Sequence, residues 1–266
     1  GIISLNPGVD RRALVFALTI RSDQEPRDLS LHRCRIHSRA QLTYEGVQRM
    51  LDGAESPLPT DPEVHAVLHR LREVGERLLE ADRNTDRVRF HRREVEIGLG
   101  DNGITWTLME KERNLTSLYN EQISLLCNTA GAAWLARNTT EDAHLQPVYR
   151  QHEAPSGEDL DALEERLQVL VESFRGDPEL WTWRRLESGA REPLSSYMER
   201  VWSLPGPQAR KEAIERQVLL IQHRSLFVEQ PAPHWALGVP AYSRFTAPMR
   251  EVAGIFTHKE ALEHLG

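Results

Sequence analysis

The chain has 266 residues and a formal net charge of −7, from 33 lysine and arginine residues against 40 aspartate and glutamate residues. With 39% apolar and 27% charged residues it can bury a core, which excludes a disordered chain. The negative total excludes a histone-like polycation but not a local basic groove, because binding follows the local field.

The first third of the chain predicts two strands followed by two helices. Their periodicity is carried by apolar residues, and the second helix starts with the capping residue Asp61 followed by a proline at the first helical position. The predicted elements are, in chain order, a strand over 13–20, a weaker strand over 29–35, a helix over 44–52 and a helix over 61–79.

The remainder predicts one β-hairpin and then helices. Val95, Ile97 and Leu99 alternate before the turn Asp101-Asn102-Gly103, and Ile104, Trp106 and Leu108 alternate after it. Helices are predicted over 115–137, from Ser156 with Asp159 completing a capping box, over 207–224 and over 248–264. Strands therefore come mainly early and helices mainly late, which predicts an α+β protein with a mixed sheet and flanking helices.

Neither the acidic residues nor the histidines form a recognisable metal motif. His65 and His69 have a spacing compatible with zinc on a helix, but no third ligand accompanies them and no metalloprotease glutamate follows His65. An acidic cluster in the first turns of one helix is typical of a solvated helix start, where acids interact favourably with the dipole. Its members are Asp159, Asp161, Glu164 and Glu165.

No run approaches the ~18 consecutive apolar residues of a membrane span, so no membrane partner is expected. The two cysteines, Cys34 and Cys127, are too few for a disulfide framework and indicate reduced thiols in a cytoplasmic protein.

Basic residues are bunched despite the negative total. Cationic side chains near aromatic or imidazole rings suit single-stranded nucleic acid, although such runs are also typical of a solvated face. One group is Arg33, Arg35 and Arg39 with His32 and His37, and the other is Arg87, Arg89, Arg92 and Arg93 around Phe90.

The segment from His234 to Arg250 is rich in small and aromatic residues and leads into the last predicted helix. If that helix starts at Pro248, Arg250 lies in its first turn. Unpaired N–H groups at a helix start attract an anion, and an arginine adds a bidentate fork for phosphate. From spacing alone, a phosphate site and a simple capped helix both remain open.

The same segment resembles the signature of the RNB catalytic domain of the ribonuclease II/R family, roughly H-F-G-L followed by A-Y-x-H-F-T-S-P-I-R-R-Y-x-D. Four other stretches resemble family motifs in the family's order, and together the five span nearly the whole chain. They are Ser4-Leu5 through Leu14, Ser38 through Tyr44, Glu121 with Asn128, and Tyr149 through Pro155.

The resemblance implies a hydrolytic 3′–5′ exoribonuclease that uses magnesium and releases nucleoside 5′-monophosphates from single-stranded RNA. It implies that Tyr44 is an active-site residue near the terminal nucleotide and that Arg250 contacts the scissile phosphate. The residues that it implies in RNA binding are Ser38, Glu121, Asn128, Tyr242, Thr246, Pro248 and His258.

The sequence departs from the family pattern at several positions. Glu251 and Val252 replace a basic residue and a tyrosine, Gly254 replaces an aspartate, and Ala247 replaces a serine. The family's metal-binding aspartates precede the first matched motif, so we expect residues 1–266 to form a single RNB-type domain that is incomplete at its N-terminus.

The magnesium ligands are then expected outside this chain, on an upstream segment or another chain. The alternative is a catalytically degenerate RNB-type protein that binds RNA without cutting it. A third interpretation, an unrelated helical interaction domain, requires the five matches to be coincidental.

Overall fold

The computed structural model describes residues 5–20, 26–55, 61–83, 87–91, 94–100, 103–111, 113–139, 146–246 and 251–265. The chain divides into two compact units. The first unit comprises residues 1–82, 91–147 and 243–266, and the second unit comprises residues 83–90 and 148–242. The prediction of a single domain over 1–266 stays a prediction.

The described residues form six strands and eight α-helices. In chain order they are β1 (Asp10–Ile20), β2 (Pro26–His37), α1 (Tyr44–Leu51), α2 (Pro62–Arg83), β3 (Glu94–Leu99), β4 (Trp106–Lys111), α3 (Leu115–Asn138), β5 (Tyr149–Gln151), α4 (Gly157–Ser173), α5 (Pro178–Trp181), α6 (Leu194–Ser203), α7 (Gln208–Leu220), β6 (Leu226–Val228) and α8 (Val252–His264). Within the described residues the strands form three antiparallel pairs, β1 with β2, β3 with β4, and β5 with β6.

Side-chain caps explain where three of the helices start. The Thr43 hydroxyl accepts from the Gly46 N–H at the start of α1, and the Asn114 side chain accepts from the Ser117 N–H at the start of α3. At α4, Ser156 and Asp159 form the predicted capping box. The same bonds lower the pKa of Asp159 to about 2, since Ser156 donates to its carboxylate.

Each unit has its own apolar cluster. In the first unit, Val47 and Leu51 of α1 pack with Leu68 of α2 and Tyr119 of α3. The second unit has a larger cluster, which is centred on α4, α6 and α7 and includes Leu163, Leu167, Trp181, Trp183, Tyr197, Val201, Ile214 and Val218. Burial of such side chains is the main favourable term in folding.

The α+β class with strands mainly early and helices mainly late is confirmed, as are β1, β2, the paired strands β3 and β4, and the helices that begin near residues 44, 62, 115, 157 and 208. The predicted turn residues Asp101 and Asn102 lie outside the described residues, and Ile104 precedes β4 instead of belonging to it. The start of the last helix is a correction. Helix α8 begins at Val252 rather than Pro248, because its N-cap Glu251 has extended backbone (φ −148°, ψ 125°). The short elements α5, α6, β5 and β6 were not predicted. None of the described helices is long and apolar enough to cross a membrane.

Candidate functional site

A buried side-chain amide in the first unit, that of Asn128, binds residues 245–246 of the C-terminal motif, which we call the motif segment. The Asn128 carbonyl oxygen on α3 accepts from the Phe245 N–H at 2.8 Å and from the Thr246 N–H at 2.9 Å. Its Nδ2 donates to the Thr246 hydroxyl at 3.0 Å. Asn128 is 2% exposed, so these bonds form away from water and fix the backbone of residues 245–246 on α3.

The Phe245 ring is the apolar part of the same attachment. It meets Phe16 of β1 edge to face, with ring centroids 5.0 Å apart. It also lies so close to Gly131 of α3 that a Cβ at that position would be 2.3 Å from the ring. A glycine inside a helix costs about 1 kcal/mol relative to alanine, and here it allows the ring to reach the helix backbone.

Helix α8 also contacts residues 245–246, through His258. His258 Nε2 lies 2.6 Å from the Phe245 carbonyl oxygen, and the two rings are 5.9 Å apart. Glu260, which is 2% exposed, accepts from the Gln146 N–H at 2.6 Å. The predicted residues Asn128, Thr246 and His258 are therefore brought together around residues 245–246.

Tyr44 lies at the start of α1, beside the N-terminal half of α3. Its hydroxyl accepts from Asn120 Nδ2 at 2.9 Å, and its side chain is 44% exposed. The Gln48 side chain accepts from both the N–H and the hydroxyl of Thr116, at 2.9 and 3.0 Å, which fastens α1 to the start of α3. Tyr44 thus presents an accessible ring from a well-anchored helix.

The remaining predicted residues of the first unit lie at two different places. Ser38 follows β2, where its carbonyl oxygen accepts from the Gly8 N–H at 2.8 Å. Glu121 forms an ion pair with Arg113 just before α3. Arg250 and Pro248 lie outside the described residues, so their predicted roles stay predictions.

Tyr242 belongs to the second unit, where its ring is 6% exposed and lies 5.6 Å from the His234 ring. Its carbonyl oxygen accepts from the Arg150 N–H at 2.8 Å. His234 stacks on His152, with ring centroids 5.1 Å apart, and the buried Nδ1 atoms of both have no hydrogen-bond partner among the described residues. Burial lowers the pKa of His152, and burial with the nearby His152 lowers the pKa of His234 to about 4.

The described carboxylates do not form a magnesium site. No group of three or more histidine, cysteine, aspartate or glutamate side chains in the described part of the chain could hold a metal ion. In the acidic cluster of α4, Asp161 and Glu164 pair with Arg191, and Glu164 also pairs with Arg185. Magnesium is usually bound through one or two carboxylates together with waters and substrate phosphates, whereas the Asp161 and Glu164 carboxylates are already engaged by arginines, so these residues do not fit it.

Sequence reasoning missed three contributors to this site. Asn120 holds the Tyr44 hydroxyl, Arg113 pairs with Glu121, and Gly131 admits the Phe245 ring. Only Gly131 carried a signal, because a glycine within an otherwise strong helical pattern indicates a close approach by another group.

The family model described as RNB domain matches residues 1–265. Ribonuclease R of Vibrio cholerae is 24% identical over 265 residues, which cover 100% of this chain and 30% of that protein. The fold is similar to that of Mycoplasma genitalium RNase R in complex with ribose methylated single-stranded RNA, with a TM-score of 0.81, 18% identity and coverage of 99% of this chain and 38% of that chain. It is also similar to yeast Ssd1, a pseudonuclease, with a TM-score of 0.63, 16% identity and coverage of 98% of this chain and 30% of that chain. The chain thus spans about a third of the length of the curated relatives it matches.

Proposed function

Since this chain belongs to the RNB domain family, we propose that it is part of a 3′–5′ exoribonuclease that hydrolyses single-stranded RNA to nucleoside 5′-monophosphates. Relatives named ribonuclease R and a structural neighbour with bound single-stranded RNA support this assignment. The fold by itself would not, because one fold can host many functions.

The observation that carries the proposal is the Asn128 attachment. It fixes residues 245–246, four residues before Arg250 in the sequence, to the same helix whose N-terminal half holds Tyr44. Asn120 and Asn128 are separated by about 12 Å along α3, at about 1.5 Å per residue. A single rigid helix thus supports both the tyrosine and the segment that leads to the arginine.

Two side chains have direct roles in the proposed reaction. The exposed Tyr44 ring stacks on the terminal base and orients the last nucleotide. The Arg250 guanidinium contacts the scissile phosphate and stabilises the charge that develops on its oxygens. Asn128, Thr246 and His258 act as positioning residues, because their hydrogen bonds hold the backbone that precedes Arg250.

We further propose that the metal ligands are aspartates on a segment outside these 266 residues. The described carboxylates do not fit the metal, and the family pattern places its aspartates before the first matched motif. A reduced, cytoplasmic location is part of the same proposal.

Mononucleotide release tests the proposal. The full-length protein that carries this chain is incubated with oligo(A) labelled at either end, with magnesium, and the products are separated by size. We expect stepwise loss from the 3′ end and free nucleoside 5′-monophosphates, with no release by the 266 residues alone. Internal cuts, or loss from the 5′ end, would contradict the proposed reaction.

A second candidate is a catalytically degenerate RNB-type protein that binds RNA. The similarity to the pseudonuclease Ssd1 and the departures at Glu251, Val252 and Gly254 favour it. The residues upstream of the first matched motif discriminate between the two. Clustered aspartates there favour the nuclease, and asparagine or alanine at those places favours the binding protein.

A further inference from the structure

One face of the β1–β2 ribbon brings arginines together in an unfavourable arrangement. Arg12 of β1 is directly opposite Arg35 of β2, and Arg33 is opposite Leu14, one step further along the same face. Residues directly opposite in an antiparallel pair have Cα atoms about 4.5–5.5 Å apart, and like charges there are destabilising. All three arginines are exposed.

Among the described side chains of the ribbon, the Asp10 carboxylate compensates only part of this charge. Asp10 pairs with Arg35 at 2.6 Å and with His37 at 2.6 Å. The hydrogen bond from His37, and to a smaller extent the charge of Arg35, lower the pKa of Asp10. Among the described residues, the side chains of Arg12 and Arg33 have neither an ion pair nor a hydrogen bond. The face therefore keeps a positive field within a chain whose total charge is −7.

This basic face is continuous with the face that supports the motif segment. Phe16 is opposite Leu31 and lies on the same side of the ribbon as Arg12 and Arg35, since side chains alternate along each strand. The Phe16 ring packs against Phe245. Arg12 is four residues from Phe16, which corresponds to about 14 Å along a strand. The arginines thus line a path that ends at the residues held by Asn128.

We propose that Arg12, Arg33 and Arg35 form a basic strip that binds the phosphates of single-stranded RNA beyond the catalytic site. This inference rests on the proposed function, because it assumes that RNA occupies the first unit. Guanidinium groups suit phosphate through paired N–H donors, and the exposed His37 ring beside Arg35 is held against Asp10, with its Nδ1 2.6 Å from that carboxylate. The strip consequently recognises the backbone and not the base sequence.

The test removes Arg12 and Arg33, whose side chains have no ion-pair partner within the described part of the chain. The Arg12→Gln/Arg33→Gln variant of the full-length protein is titrated with fluorescent oligo(A) over a potassium chloride series, without magnesium. Each lost phosphate contact reduces the slope of log K against log salt by about 0.7 for a single strand, so the expected reduction is about 1.4. Oligo(dA) should show the same reduction, because phosphate contacts do not read the sugar.

A matched variant with the same charge change separates the strip from net charge. Arg70 and Arg77 of α2 are exposed and both pair with Glu73. The Arg70→Gln/Arg77→Gln variant should bind RNA with the salt slope of the unaltered protein. The thermal midpoint of Arg12→Gln/Arg33→Gln should stay equal or rise, because the substitution relieves repulsion between like charges.

The salt titrations and the nucleotide-release assay together distinguish failure of the basic strip from failure of the proposed nuclease. An unchanged slope in Arg12→Gln/Arg33→Gln, or an equal loss in the matched variant, overturns the basic strip while mononucleotide release still supports the nuclease. A reduced slope in a protein that releases no nucleotide keeps the strip and overturns the nuclease in favour of the binding protein. Absence of any RNA binding overturns both.

Discussion

The two units differ in what is buried at their centres. In the second unit the most buried residues are apolar, and Leu163, Leu167 and Val201 are 0% exposed. The first unit also buries polar side chains almost completely, with Asn128 at 2%, Thr257 at 1% and Glu260 at 2% exposed, and Asn128 holds residues 245–246. Apolar packing tolerates changes of similar volume, whereas a buried hydrogen bond requires its partner at one place. The polar unit is the one that contains most of the predicted site residues.

The largest expected effect is on the stability of the second unit, whose most buried residues are apolar. Leu163→Ala removes a fully buried side chain from α4 and should lower the free energy of unfolding by about 4 kcal/mol, through lost burial and the cavity left behind. Chemical denaturation followed by tryptophan fluorescence measures it. Val169→Ala, on the same helix but 66% exposed, should change stability by less than about 0.5 kcal/mol. Equal losses in the two variants would contradict the position assigned to this core.

The next largest effect is expected when the Asn128 attachment of residues 245–246 is removed. Asn128→Ala leaves the Phe245 and Thr246 N–H groups without their acceptor and should cost about 3 kcal/mol of unfolding free energy. Asn128→Asp keeps an acceptor for both N–H groups and removes only the donor to Thr246. Its free energy of unfolding should therefore decrease less than that of Asn128→Ala. Hydrogen exchange of the 245 and 246 amides reports the difference. Equal protection in Asn128→Ala and the unaltered protein would show that the amide does not hold this segment.

The third effect concerns catalysis rather than stability. Arg250→Ala should lower kcat by about a hundredfold, the usual loss when one electrostatic stabiliser of a transition state is removed. Arg70→Ala on α2 serves as the control, since that side chain is 77% exposed. Rates of nucleotide release at saturating RNA measure the effect. A change confined to KM would mean that Arg250 binds RNA without acting on the reacting phosphate.

The smallest effect tests the buried histidine pair of the second unit. The folded state keeps His234 neutral with its pKa at about 4, against 6.5 in an unfolded chain. Between these pH values the unfolded chain binds a proton at this residue that the folded protein does not bind. The free energy of unfolding therefore has its full value above pH 6.5 and decreases as the pH falls toward 4. At about pH 5 the loss is about 2 kcal/mol, and His152 adds to it in the same direction.

Thermal unfolding between these pH values measures this loss. His234→Phe should reduce the change of the thermal midpoint with pH. His69→Asn, at an exposed position of α2, should leave that change as it is in the unaltered protein. If His234→Phe keeps the full pH dependence, other groups are responsible for it.

Elements with a strong local signal could be predicted from the sequence, and those defined by distant partners could not. The capping box at Ser156 and Asp159 was predictable because both residues belong to one helix start. Strands β5 and β6 have three residues each and exist through pairing such as Tyr149 with Val228, which no local pattern reveals. The start of α8 was misplaced because Pro248 suits a first helical position, while the extended backbone of Glu251 delays the helix.

The order of the motifs along the chain was sufficient to indicate the RNB domain family and to single out Tyr44, Asn128, Thr246 and His258. What these side chains do was decided by tertiary structure, since Asn128 reaches backbone groups 117 and 118 residues away and Tyr44 meets Asn120 across two helices. The physical reason is that composition, caps and periodicity act within a few residues. Hydrogen bonds of a buried amide and repulsion between opposed arginines exist only after distant segments are brought together.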